Sequence, residues 1–193
     1  GYFLTCVSRP EESFSCEPAH VTSFRGWVRI REIQAIGPDI VVVRFERPIT
    51  FAFMPGQFVT LRREDGIGRS YSIASRAEDE FCFDIHVRHI PNGRMSSWLH
   101  CEARPGDKLW AEGPKGDCAY YPGQPSETLN LVGTGTGMAP LFAIAEDAIR
   151  QGHVGTVAIY QGALSEDRLY LVDEFTHLAA RHPNVSYKKC LLQ

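Results

Sequence analysis

Residues 69–75 have the sequence RSYSIAS, a short β-prone run that carries one arginine and one tyrosine. Side chains alternate along a strand, so Arg69 and Tyr71 are expected on one face and Ser70 and Ser72 on the other. A guanidinium binds phosphate through a fixed fork of donors, and a tyrosine ring offers a rigid stacking face. The run therefore suits a ligand with an anionic end and a flat aromatic end, although a half-buried surface strand is the simpler interpretation of these residues alone.

Short strand candidates lie on both sides of this run. They span residues 27–33, 40–45, 57–62, 80–88 and 108–112, and turn residues such as Gly37-Pro38-Asp39 and Pro55-Gly56 separate them. One helix is predicted at 93–101. Many short strands punctuated by turns predict a small antiparallel barrel over residues 24–126.

The hydrophobic pattern changes after residue 126. A buried strand at 128–132, a helix at 138–151, a strand at 155–160, a helix at 171–181 and a strand at 185–191 follow one another. Strand–helix–strand–helix–strand is the first half of a doubly wound parallel α/β domain. The sequence therefore predicts a second domain at 127–193 that is incomplete at its C-terminus, with residues 1–23 as a preceding tail and linker.

Composition excludes several classes of protein. The chain has 193 residues, 44% of them hydrophobic and 22% charged, and a net charge of −3, so it lacks the basic footprint of a nucleic-acid-binding protein. No apolar run reaches the ~18 residues that span a bilayer, and no signal peptide opens the chain. We therefore expect no membrane span, no nucleic-acid partner and a cytoplasmic location.

Two glycine-containing segments have the composition of anion sites. Residues 133–137 read GTGTG between a predicted strand and a predicted helix, where backbone N–H groups can approach a pyrophosphate. Met138 and the acid-free segment Gln161-Gly162-Ala163 depart from the dehydrogenase pattern, so a tight structural turn is the alternative. Residues 93–97 place Ser96 and Ser97 at a helix start, where simple N-capping is the alternative to anion binding.

Further motifs stand in a fixed order around the RSYSIAS run. They are FMPGQF at 53–58, HVR at 86–88, GRMSSWL at 93–99, GPKG at 113–116 and GTGTGMAP at 133–140. In this order and spacing the set closely resembles the ferredoxin–NADP reductase superfamily of flavin oxidoreductases, from about residue 24 onward. The resemblance implies an FAD-binding barrel at 24–126 and an NAD(P)-binding domain at 127–193.

The resemblance also implies a role for each motif. Tyr71 would stack on the flavin ring, Ser72 would donate towards the flavin N5, and Thr136 would lie near the nicotinamide, so Ser72 and Thr136 are the candidate catalytic residues. The residues expected at the flavin are Arg69, Ser70, Tyr71, Ser72, His86, Val87, Arg88, Gly93, Met95, Ser96 and Ser97. Those expected at the nucleotide are Gly133, Thr134, Gly135, Thr136, Gly137, Met138 and Gly162.

The cysteines and histidines give weaker indications of a metal. None of the six cysteines forms a C-x-x-C pair, which disfavours a closed zinc site. Residues 1–10 resemble the closing segment of a plant-type ferredoxin, in which Cys6 would be the fourth [2Fe–2S] ligand, the other three being absent from this chain. A plain buried thiol is the alternative. His86 and His89 are expected on opposite faces of a strand, which disfavours a histidine metal site.

By resemblance, the chain is an oxidoreductase in which FAD takes hydride from NAD(P)H and passes single electrons to an iron–sulfur centre. A ferredoxin or an oxygenase would be the partner, as for the reductase components of bacterial ring-hydroxylating oxygenases. The alternatives are a non-catalytic flavin-binding electron-transfer subunit and a flavin reductase.

The sequence gives weaker evidence for the choice between NADH and NADPH and between FAD and FMN. The loop after Gly162 holds two acids before its first cation, Arg168, which favours NADH over NADPH as the substrate. Tyr120 and Tyr121 favour FAD over FMN if one of them stacks on adenine, although packing at the barrel edge explains them as well.

Overall fold

The computed structural model describes residues 23–76, 78–79 and 81–192. The strands are β1 Phe24–Ala35, β2 Ile40–Glu46, β3 Phe58–Arg62, β4 Gly68–Ser72, β5 Cys82–Arg88, β6 Lys108–Lys115, β7 Leu129–Thr134, β8 Val157–Ala163 and β9 Val185–Leu191. The helices are α1 Arg94–Cys101, α2 Met138–Arg150 and α3 Val172–Arg181. An antiparallel barrel-like sheet is thus followed by a parallel α/β unit, as the sequence predicts.

Strands β1–β6 form one antiparallel sheet in the order β4-β3-β6-β1-β2-β5. The sheet curls until its two edges meet just beyond β4, where Ala74 N donates to Asp84 O at 2.8 Å and Asp84 N donates to Ser75 Oγ at 3.1 Å. The Asp84 carboxylate also accepts two hydrogen bonds from Arg44, at 2.9 and 2.8 Å. The two bonds from residues 74 and 75 to Asp84 therefore close the barrel, whereas the Arg44 pair joins β5 to its neighbour β2.

Phenylalanines fill the barrel. Phe45 stacks on Phe83 with ring centroids 5.1 Å apart, Phe51 lies 4.9 Å from Phe83, and all three side chains are fully buried. Each large aromatic side chain buries enough apolar surface to contribute about 2–3 kcal/mol. Val87 and Met95, which belong to the flavin motifs, are part of the same core.

Strands β7, β8 and β9 form a parallel sheet in that order. Helices α2 and α3 contact each other and the sheet, because Phe175 of α3 lies 5.3 Å from Phe142 of α2 and stacks on Tyr187 of β9 at 5.2 Å. The core of this unit also takes in Ile40 of β2 and Tyr120, both of which precede residue 127. The predicted domain limits, 24–126 and 127–193, stay a prediction.

The strand limits differ from the prediction in two informative places. Strand β4 ends at Ser72, not at residue 75. Ile73 N still donates to Gln57 O at 2.7 Å, but the chain then turns to β5, where Ala74 N donates to Asp84 O at 2.8 Å. Strand β6 continues to Lys115, three residues beyond its predicted end, because β3 supplies a partner for it at Phe58. Local turn residues did not reveal either tertiary contact.

Within the residues that the structure describes, none of the helices has the length and apolarity that crossing a bilayer requires.

Gly56 lies at a close contact between the barrel and the parallel unit. Its φ is +93°, and a Cβ here would lie 2.2 Å from Cys118 O and 2.5 Å from Ile144 Cδ1. We expect Gly56→Ala to lower the free energy of unfolding by about 3 kcal/mol, measured by urea denaturation. Gly37→Ala is the control, since nothing lies within 4 Å of its Cβ. Equal unfolding midpoints for the two variants would contradict this prediction.

Candidate functional site

Two adjoining cavities collect most of the residues singled out from the sequence. The barrel cavity, of about 350 Å³, is lined by Arg69, Ser70, Tyr71, His86, Val87, Arg88, Ile90, Gly93, Arg94, Met95, Ser96 and Thr136. The sheet-end cavity, of about 1000 Å³, is lined by Arg88, Thr134, Gly135, Thr136, Gly162, Ala163, Leu164, Ser165, Arg168, Cys190, Leu191 and Leu192. Arg88 and Thr136 line both cavities, so ligands in the two would meet at these side chains.

Strand β4 supplies a charge and a ring to the barrel cavity. Arg69 is exposed, its guanidinium donates to Gly68 O at 2.7 Å, and it forms no ion pair within the described part of the chain. Burial raises the pKa of the half-buried Tyr71 to about 12 against the opposing charge of Arg69, so the phenol is neutral. Together they present a positive charge beside a flat aromatic face.

The serines of β4 have different surroundings. The Ser70 hydroxyl lies 3.0 Å from the Thr60 hydroxyl on the neighbouring strand. Ser72 is exposed at the end of β4 and is not among the residues that line either cavity. The donor role of Ser72 stays a prediction.

The first turn of α1 closes one side of the barrel cavity. Gly93 allows a tight entry, since a Cβ there would lie 2.4 Å from Ser96 Oγ. The Ser96 hydroxyl accepts a hydrogen bond from Ile90 N at 3.2 Å, and the Ser97 hydroxyl lies 3.3 Å from His89 Nε2. Both hydroxyls are thus engaged locally, but neither caps the helix, because the N-cap is Gly93 and no side chain accepts a cap hydrogen bond. The unpaired N–H groups of the first turn are what this segment offers an anion.

The glycine turn, residues 133–137, joins β7 to α2. Some of its residues pack the helix on the sheet, and others line the cavities. Gly135, with φ +52°, lines the sheet-end cavity, where a Cβ would lie 3.4 Å from the Arg88 guanidinium. Gly133 instead packs the helix on the strand, because its Cβ would lie 2.7 Å from Leu141 Cδ1 and 3.1 Å from Met138 Sδ. Met138 is fully buried, and neither it, Gly133 nor Gly137 is among the residues that line the barrel cavity or the sheet-end cavity.

Arg88 stands at the boundary of the two cavities. Its Nε lies 3.4 Å from the Asp39 carboxylate, yet this buried nitrogen has no hydrogen-bond partner among the described residues. The Arg168 guanidinium lies 3.8 Å from the same Asp39 carboxylate and 3.6 Å from the carboxylate of Asp167. An incompletely satisfied guanidinium facing two cavities is a natural partner for phosphate or carbonyl oxygens.

His86, His89 and His100, the histidines near the barrel cavity, each have a hydrogen-bond partner in the protein. His86 Nδ1 bonds with the Tyr170 hydroxyl, His89 with Ser97, and His100 Nε2 donates to Val87 O at 2.9 Å. Over the described ranges, no three metal-ligating side chains converge. Cys6, the candidate [2Fe–2S] ligand, lies outside the described residues.

Several cavity residues were missed by the sequence motifs. Ile90 and Arg94 flank Gly93 in the barrel cavity, and Leu164, Ser165, Cys190, Leu191 and Leu192 line the sheet-end cavity. The second group could have been predicted from the topology, because ligands of parallel α/β sheets bind at the carboxyl ends of the strands. Tyr120 was interpreted as a candidate for adenine stacking, but its ring is buried in the core of the parallel unit and its hydroxyl lies 3.2 Å from His153 Nδ1.

His86 should make stability depend on pH. Burial lowers its pKa from 6.5 to about 4, against the opposing charge of Asp84. Between these values the unfolded chain binds a proton that the folded chain does not, so the stability is complete above pH 6.5 and is lost as pH falls towards 4. We expect a slope of about 1.4 kcal/mol per pH unit in this window, measured by urea unfolding. His86→Gln should flatten it, and parallel curves for the two proteins would contradict the assignment.

Comparisons with known proteins agree with this geometry. The profile of the oxidoreductase FAD-binding domain matches residues 28–120, and that of the oxidoreductase NAD-binding domain matches residues 131–192. The first match covers α1 and the barrel strands from Val28 onward, and the second covers the glycine turn and the parallel sheet from Leu131 onward. FAD and a nicotinamide nucleotide are therefore the ligands to which these two domains correspond.

Two curated relatives and one solved structure are particularly similar. The ferredoxin–NAD(P)+ reductase component of the naphthalene 1,2-dioxygenase system of Pseudomonas putida is 33% identical over 75% of this chain and 43% of its own length. The reductase subunit of the aromatic O-demethylase of Amycolatopsis is 34% identical over 97% of this chain and 59% of its own length. The crystal structure of the Amycolatopsis cytochrome P450 reductase GcoB superposes with a TM-score of 0.78 at 30% identity, covering 88% of this chain and 52% of that one.

This chain spans about half the length of the curated relatives that it matches. Within that span, the barrel, the glycine turn and the two adjoining cavities stand in the order of the two matched domains. The chain therefore belongs to the ferredoxin–NADP reductase superfamily of flavin oxidoreductases.

Proposed function

We propose that this chain is the flavin- and nicotinamide-binding part of an NAD(P)H-dependent reductase that delivers electrons to an iron–sulfur centre or an oxygenase. The observation that carries the proposal is the shared wall of the two cavities, since Arg88 and Thr136 belong to both. A flavin and a nicotinamide must come into contact for their reaction, and the shared wall allows this contact. When bound, FAD supplies the step from two-electron hydride acceptance to single-electron delivery.

The barrel cavity fits FAD in charge and shape. Arg69 has no acidic partner among the described residues, and the first turn of α1 offers N–H groups, so a pyrophosphate would find both kinds of donor. Tyr71 would stack on the flavin ring, and Val87 and Arg88 would lend backbone groups to the ribityl chain. The protein thus orients the two ligands and stabilises the negative charge of their phosphates.

The sheet-end cavity fits a nicotinamide nucleotide, and its cations support NADH over NADPH. Arg168 is already opposed by Asp39 and Asp167, and Lys189 Nζ lies 3.7 Å from the Glu166 carboxylate. A 2′-phosphate would have to compete with these carboxylates for Arg168 and Lys189. Thr134, Gly135 and Gly162 would border the nucleotide, with Thr136 nearest the nicotinamide.

The electron acceptor is proposed from the relatives. Relatives whose names describe reductase components of oxygenase systems support an oxygenase or a ferredoxin as the partner. Cys6 would then belong to a [2Fe–2S] domain whose other ligands lie outside this sequence. A reductase that uses the NADH pool is expected in the cytoplasm.

An anaerobic titration tests the proposed function. The purified chain, loaded with FAD, should lose its flavin absorbance on addition of NADH, and more slowly with NADPH, because both ligands reach the shared wall. A bound flavin that neither nucleotide bleaches would instead leave a flavin-binding module without reductase activity. Failure to retain FAD at all would overturn the assignment of the barrel cavity.

Arg69→Ala tests how the flavin is held. Losing one charge-assisted phosphate contact should weaken FAD binding about 10–100-fold, measured by quenching of flavin fluorescence. The control is Arg29→Ala on β1, because Arg29 is exposed, lines neither cavity and pairs with Glu46 at 3.7 Å. Equal FAD affinities for the two variants would show that Arg69 does not contact the flavin.

A further inference from the structure

Tyr170 connects the parallel unit to the barrel cavity. It lies between β8 and α3, its side chain is 6% exposed, and its hydroxyl bonds with Nδ1 of His86 on β5. The two rings meet edge to face, with centroids 5.8 Å apart and planes at 77°. His86 lines the barrel cavity, so this single bond links the nucleotide-binding sheet to the wall of the flavin site.

A buried polar chain fixes Tyr170 from the opposite side. Gln161 of β8 is fully buried, and its Nε2 donates to the Tyr170 carbonyl at 2.9 Å. The Tyr187 hydroxyl donates in turn to Gln161 Oε1, and the Tyr187 ring stacks on Phe175. Fully satisfied buried networks of this kind allow few alternative arrangements.

The backbone next to Tyr170 is held in an uncommon conformation. Leu171 has φ 55° and ψ 33°, the left-handed region that a branched residue rarely adopts. Such a conformation persists where the surrounding contacts over-determine it. The ring of Tyr170 is thus placed at the interface by constraints from both its side chain and its backbone.

The hydrogen bond also determines which His86 nitrogen carries the proton. Burial keeps the imidazole neutral at pH 7, so one nitrogen is a donor and the other an acceptor. If the Tyr170 hydroxyl donates to Nδ1, the proton lies on Nε2, which has no partner among the described residues. The ring then retains one N–H donor for a ligand in the barrel cavity.

We propose that Tyr170 is a positioning residue: by donating to His86 Nδ1 it fixes the Nε2–H tautomer at the flavin site and sets how the nucleotide-binding unit sits against that site. Its catalytic consequence rests on the proposed function, whereas the His86 tautomer does not. The chain contains a matched pair for comparison. Tyr120 and His153 also meet edge to face, at 5.5 Å and 87°, and their side chains line neither cavity.

The first test uses ¹⁵N-histidine NMR on the flavin-free chain at pH 7. Wild-type His86 should show a protonated Nε2 and an accepting Nδ1, and Tyr170→Phe should shift the His86 signals without shifting those of His153. Tyr120→Phe should give the reverse pattern. A wild-type Nδ1–H tautomer, or His86 signals that are unchanged in Tyr170→Phe, would overturn the proposal. A wild-type Nδ1–H tautomer would overturn the proposal even if Tyr170→Phe does not fold.

The second test measures flavin reduction in the FAD-loaded chain. At saturating NADH, Tyr170→Phe should reduce the flavin about tenfold more slowly, while Tyr120→Phe stays within about twofold of wild type, because a small misplacement of the reactants slows the reaction. Equal rates for the two variants would overturn the positioning of one unit by the other. A wild-type chain that NADH does not reduce would refute the proposed function, and the NMR result would still decide the tautomer.

Discussion

The structure depends on the close approach of a barrel edge to a parallel sheet. Gly56 lies so near Ile144 of α2 that no side chain fits between them, and Ile40 and Tyr120 extend from the barrel side into the neighbouring core. This apolar contact places the carboxyl ends of β7 and β8 beside β5. Without it, the barrel cavity and the sheet-end cavity would not share a wall.

Polar contacts at the same boundary have very different strengths. Arg76 pairs with Glu146 at 3.0 Å and Arg150 with Glu78 at 2.7 Å, and three of these four side chains are about half exposed or more, so each pair contributes at most about 1 kcal/mol. The bond between His86 and Tyr170 lies deeper, and losing one partner would leave a buried polar group unpaired. Solvent weakens the two exposed ion pairs, whereas the buried hydrogen bond fixes the positions of His86 and Tyr170 relative to each other.

Much of the architecture could be predicted from local sequence because the two halves have different periods. Short strands between turn residues indicated the barrel, and the alternation of strands and helices after residue 126 indicated the parallel sheet. The motifs around Arg69, Gly93 and Gly135 also identified most of the barrel cavity. These features depend on neighbours in sequence, where strand alternation and turn chemistry act.

The rest depends on residues that are distant in sequence. Met138 belongs to the glycine motif but is fully buried, since the helix it begins must pack on β7. Tyr170 lies 84 positions from its partner His86, and no local pattern indicates that bond. The hydroxyls of Ser96 and Ser97 looked available in the sequence, yet nearby loop atoms engage them. Only the assembled fold brings such partners together.

The side chains common to both cavities have a thermodynamic consequence. If a nucleotide changes the position or charge environment of Arg88, it changes the free energy of flavin binding, and linkage requires the flavin to alter nucleotide affinity by the same factor. A single coupling free energy therefore links the affinities for flavin and nucleotide. A chain with one cavity filled is, in energetic terms, a different receptor from the empty one.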